Sequence, residues 1–61
     1  MKITDTGIAL MVLRDEIRSS IQEKVDAVLF LIDNGSFYRL PGDLQAKAQT
    51  ILDQYHNHEG N

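Results

Sequence analysis

Between Gly7 and Asp33 the apolar residues Leu10, Leu13, Ile17, Ile21, Val25, Val28 and Ile32 recur at steps of three or four, so on a helix they fall in one stripe. The phase holds throughout, and neither Gly nor Pro interrupts it after Gly7. This pattern predicts a single long helix over about residues 6–33. The stripe changes width along its length. From Arg14 to Lys24 it is narrow, with Asp15, Glu16, Glu23 and two serines on the solvated side. Residues 8–13 and 27–32 are apolar nearly all round, and segments of that kind normally have neighbours on more than one side.

Local signals set the ends. Thr4, Asp5 and Thr6 carry short side-chain oxygens able to cap a first turn, although Gly7 weakens it. Ser20-x-x-Glu23 has the spacing of a capping box and competes with continuity. The unbroken stripe favours one helix, with a kink near Ser19 and Ser20 as the alternative. Asn34 or Gly35 can take the left-handed conformation that closes the helix. Asn-Gly is also a hairpin signal, but residues 27–32 do not alternate as a strand would. Residues 34–42 then read as an extended connector pinned by Phe37 and Leu40, and Leu40 is biased away from helix by Pro41. A second helix is predicted over about residues 43–56, with Asp43 as N-cap and Leu44, Ala48, Ile51, Leu52 and Tyr55 as its stripe. Residues 57–61 form a polar tail.

The expected fold class is all-α: one domain spanning residues 1–61, a helical hairpin of one long and one short helix. Its expected core is Ile17, Ile21, Val25, Val28, Leu29, Ile32, Phe37, Leu40, Leu44, Ala48, Ile51 and Tyr55. At 1.5 Å per residue the long helix would reach ~40 Å and the short one only ~20 Å. The second helix would then leave residues 8–13 bare. A chain of 61 residues buries a low fraction of its surface, and the absence of cysteine removes disulfides as support. Homodimerisation is the expected remedy, through an interface of Ile8, Leu10, Met11, Leu13, Arg14, Ile17 and Arg18.

Charge and chemistry narrow the function classes. The net charge of −3 and pI near 5.0 argue against a nonspecific nucleic-acid binder. No apolar run approaches the ~20 residues that a membrane helix needs. The opening Met1-Lys2-Ile3-Thr4-Asp5 makes a poor secretory leader, which points to the cytoplasm. His56-x-His58-Glu59 is the one cluster of metal-ligand types, and it lacks the four ligands on a rigid frame that structural zinc requires. The same two histidines are the only groups titrating near neutrality, so a general acid or base would have to sit on the polar tail. No catalytic residue, cofactor, metal or small-molecule substrate is therefore expected.

Two groups remain as contact candidates. Arg14 and Arg18, one turn apart beside Met11, either snorkel over apolar surface or face a partner. Either Phe37 and Leu40 plug the hairpin while Tyr38 and Arg39 stay exposed, or Phe37, Tyr38 and Arg39 form a secondary contact point. The leading expectation is a small non-enzymatic regulator acting through protein–protein interaction, with itself and a further protein as partners. The alternative is an accessory DNA-binding module of helix-turn-helix type, read by Gln45, Gln49 and Gln54 with Lys47. Against it stand Asp43 and Asp53 on the same helix and a connector longer than that motif uses.

The outline of residues 7–33 followed by the Pro41-Gly42-Asp43 restart resembles the short acidic early-region proteins of lambdoid phages, encoded between the exonuclease and excisionase genes. That resemblance implies a non-enzymatic modulator of host physiology or of the lytic–lysogenic choice, acting in the host cytoplasm. The hairpin outline is also similar to the short phosphatase regulators of sporulating bacteria. Their Ser-Gln-Glu-Leu-Asp motif is met here by Gln49-Thr50-Ile51-Leu52-Asp53, of which only Leu-Asp matches, so their activity does not carry over.

Overall fold

The computed structural model describes the backbone of residues 3–59 and the side chains of residues 3–56. It is all-helical: α1 spans Thr6–Leu13, α2 Ile21–Asp33 and α3 Gly42–Glu59, with a short 3₁₀ turn at Phe37–Arg39. No strand occurs among the described residues.

The single long helix is thus corrected to two. Asp5 caps α1 as expected, its carboxylate accepting from the Ile8 N–H at 2.8 Å. Past Leu13 the backbone of Asp15 turns left-handed, at φ 61°. The Asp15 N–H then donates to the Val12 carbonyl at 3.2 Å and the Glu16 N–H to the Met11 carbonyl at 3.0 Å. Those are the two bonds of a Schellman ending, formed here with Asp where Gly is usual. The chain restarts at the capping box. The Glu23 N–H donates to Ser20 Oγ at 3.1 Å, and the Ser20 N–H donates to Glu23 Oε1 at 2.9 Å.

The reason for the break is burial. A continuous helix would leave its N-terminal third in water. Folded back, α1 packs along α2 and buries Ala9, Val12 and Leu13 completely. Burying a Leu or Val side chain is worth about 1.5–3 kcal/mol, well above the cost of ending and recapping a helix. The hydrogen bond from Asn34 Nδ2 to Thr6 Oγ1 at 3.2 Å places the start of α1 beside the end of α2, so the two run antiparallel.

The second reversal follows the expected chemistry. Gly35 takes φ 81° and its N–H donates to the Ile32 carbonyl at 3.1 Å, closing α2. The connector is not extended throughout, because Phe37–Arg39 winds into the 3₁₀ turn. Leu40 alone is extended before Pro41, at φ −70° and ψ 149°. α3 begins one residue earlier than expected. Asp43 is therefore not the N-cap but an acid within the first turn, still suited to the helix dipole. Its end is corrected too, since the helical backbone runs to Glu59 through part of the stretch read as a tail. Gly60 and Asn61 lie outside the described residues.

The core consists of Ala9, Val12, Leu13, Val25, Ala27, Val28, Leu31, Leu44, Ala48 and Ile51, with α2 contacting both other helices. Ile17, Phe37, Leu40, Leu52 and Tyr55 are half-buried against it. Three expected core residues are corrected: Ile21, Leu29 and Ile32 are exposed. In their place stand Ala27 and Leu31 from α2 and the buried face of α1. The hairpin of two helices is accordingly a compact arrangement of three.

Candidate protein interface

The residues expected to form the interface are dispersed. Leu13 is wholly inside the chain's own core, which removes it from any surface and corrects its assignment. Ile8, Leu10 and Ile17 are half-buried against that core. Met11 is exposed, as are Arg14 and Arg18. Among the expected interface residues Met11 is thus the one large apolar side chain left exposed, and Arg18 lies in the turn beyond the end of α1. In the second candidate group Phe37 packs inward. Tyr38 stands 75% exposed, its ring edge-on to Phe37 with centroids 5.3 Å apart, and Arg39 is exposed.

Among the described residues, three of the five exposed large apolar side chains lie on α2. Ile21 is 45% exposed, Leu29 50% and Ile32 36%. At 100° per residue, Ile21, Val25 and Ile32 form one row along the helix, and Gln22, Asp26, Leu29 and Asp33 form the row beside it. Val25 is buried, so the first row is anchored at its middle and open at both ends. In the second row Leu29 sits between two exposed carboxylates, Asp26 three residues before it and Asp33 four after. The side-chain amide of Gln22 donates to Asp26 Oδ1 at 3.0 Å along that row. At the start of α2 the strip runs into an open recess of about 480 Å³ lined by Ile21, Gln22, Gln54 and Tyr55.

The positive charge of α2 itself is directed away from this strip. Lys24 is the only cation on α2, and its ammonium is bound to Asp15 at 3.1 Å and to Ser19 Oγ at 2.8 Å. Lys47 of α3 reaches the same Asp15 carboxylate at 2.6 Å. These two bonds, Lys47 first, hold the Asp15 carboxyl below the usual carboxylate range. Glu23 is also lowered, chiefly by the backbone N–H of Ser20.

Sequence reasoning missed Ile21, Leu29 and Ile32 because it placed all three in the core. The signal was the capping box. Once Ser20 starts a fresh helix, the stripe of α1 no longer fixes the phase of α2, and residues 27–32 are too uniformly apolar to fix it themselves. The position of Lys24, which folds back to Ser19 and Asp15, does fix it.

Other chemistry is sparse. No three His, Cys, Asp or Glu side chains come together among the described residues. The His56 ring is exposed and lies edge-on to Tyr55 at 6.2 Å, while the His58 and Glu59 side chains lie outside the described residues. On the helix considered for DNA reading, Gln45 Nε2 donates to the Leu40 carbonyl at 2.9 Å and Gln49 Nε2 to Asp53 at 3.2 Å. No described helix is long and apolar enough to cross a membrane. Comparison of the chain with family models, with curated proteins and with solved structures gives no match.

Proposed function

We propose that the protein is a small non-enzymatic regulator that acts by protein–protein contact, through the exposed strip of α2. The observation that carries this reading is the exposure of Ile21, Leu29 and Ile32, at 36–50%, on two adjacent rows of one helix. Completing the burial of three half-exposed side chains is worth on the order of 1 kcal/mol each, and contiguous exposed apolar surface is characteristic of interaction sites. The phage setting suggested by size and outline, with action in the host cytoplasm, fits a regulator of this kind.

The DNA-binding alternative has less behind it. Of its proposed readers, Gln45, Gln49 and Lys47 are engaged within the chain, and the exposed strip is acidic where phosphate would require cations. Homodimerisation through the N-terminal edge has lost most of its motive, because only Met11 remains there as a large exposed apolar group.

A photo-crosslinking amino acid at position 29, in protein expressed in a bacterial host, tests the reading. The expected result is a discrete protein adduct from position 29 that is absent when the same group is placed at Thr50, on the outer side of α3. Equal labelling from both positions, or adducts to nucleic acid, would overturn it.

A further inference from the structure

The strip carries information about the chemistry of its partner. Its apolar groups lie in two adjacent rows over the three turns of α2, a geometry that matches one face of a second helix lying alongside. The rim is Asp26 and Asp33, both exposed. The last turn of α2 holds no basic residue, and Lys24 is drawn to Asp15 and Ser19 on the other side. A helix seated on Leu29 would bring its flanking positions against two carboxylates that have no ion-pair partner among the described residues. In paired helices such flanking positions decide which partner is accepted.

We propose that the α2 strip is the docking site of an amphipathic helix from another protein, with an apolar face bordered by Lys or Arg. This rests on the contact reading above and specifies its partner. A second copy of α2 fits the strip poorly. In parallel pairing Asp26 meets Asp26 and Asp33 meets Asp33. In antiparallel pairing about the middle of the helix the two Asp26 side chains still approach each other. Neither arrangement supplies a cation. Arg14 and Arg18 of a second copy offer charge, but Met11 is the single large exposed apolar residue of that segment. The recess beside Ile21 and Tyr55 would receive one terminal apolar side chain of the docked helix.

The test uses the full chain labelled with ¹⁵N and two synthetic helical peptides of about four turns. Both carry Leu on one face; one is flanked by Lys, its twin by Glu. The Lys peptide should shift amide signals across residues 21–33 and around Tyr55 while sparing α1, and the Glu peptide should not bind. Asp26→Lys should weaken the Lys peptide by about fivefold or more, whereas Asp53→Lys, an equal change of net charge on the outer side of α3, should leave it nearly unchanged. Equal binding of the two peptides, shifts centred on Met11, or equal effects of the two reversals would overturn the proposal. So would sedimentation equilibrium showing a dimer that Leu29→Gln dissociates, since a second copy would then occupy the strip. A position-29 crosslink to another protein without Lys-peptide binding would reject this partner chemistry while leaving the contact reading intact; no crosslink at all would reject both.

Discussion

Asp15 accepts from Lys47 Nζ at 2.6 Å across 32 residues of chain, while its own backbone sits in the left-handed region at φ 61°. One residue therefore does two things that a sequence pattern does not connect. It terminates α1, and it ties the α1–α2 turn to both α2 and α3 through Lys24 and Lys47.

Substitution separates the two roles. Asp15→Asn keeps a residue that tolerates the left-handed region and removes the charge. It should lower the thermal midpoint at low ionic strength, with the deficit shrinking as salt is added, because an exposed pair is screened. Asp15→Ala loses the charge and also strains the turn, so it should be the less stable of the two at every salt concentration. Thermal melts followed by circular dichroism decide this; Ala and Asn variants of equal stability would show that the left-handed turn carries no strain.

The two lowered carboxylates fix the direction of the pH response. A carboxyl whose folded pKa lies below its unfolded value adds stability at pH above the unfolded value, and that contribution is lost as pH falls through the folded value. For Asp15 and Glu23 the unfolded range is about 4. Their contribution should be full at neutral pH and decline from about pH 4 downward. The doubly neutral Asp15→Asn, Glu23→Gln variant should be less stable at pH 7 and show a shallower loss on acidification. Identical acid slopes in the two proteins would rule out these carboxyls as the source.

How far the fold was legible depends on which residues carry each signal. α3 and the Gly35 turn were readable because Gly, Pro and a lone stripe of Leu44, Ala48 and Ile51 point to one answer. The break at residues 14–20 was written in Ser20 and Glu23, but the stripe through Ile17 and Ile21 contradicted it. Tertiary burial of Leu13 resolved the conflict in favour of the cap. No periodicity reports that a helix will fold back on its successor. The exposed apolar side chains shift for the same reason: with α1 folded back on α2, Met11 alone of residues 8–13 stays exposed, and Ile21, Leu29 and Ile32 stand open on α2.

The recapping of α2 is itself testable. Ser20→Ala removes the acceptor for the Glu23 N–H and should cost about 0.5–2 kcal/mol, the usual worth of such a cap. Amide exchange should quicken most in the first turn of α2. If stability and exchange at Ile21–Lys24 are unchanged, the capping box does not anchor the restart.

Two leucines on α2 give the sharpest test of the fold. Leu31 is fully buried and Leu29 is 50% exposed, although they are two residues apart on one helix and equally apolar in sequence. Leu31→Ala opens a cavity in the buried core and should cost about 2–5 kcal/mol. In a domain of this size that approaches the whole folding free energy. Leu29→Ala removes side-chain surface already half in water and should cost under about 1 kcal/mol, as exposed positions generally do. Urea unfolding of the two variants measures the difference directly. A reversed order, with Leu29 the costlier, would mean that α2 is rotated about its axis toward the expected core of Val25, Val28, Leu29 and Ile32. Equal costs would mean that both leucines are covered, and the proposed contact strip would then be part of a larger buried surface.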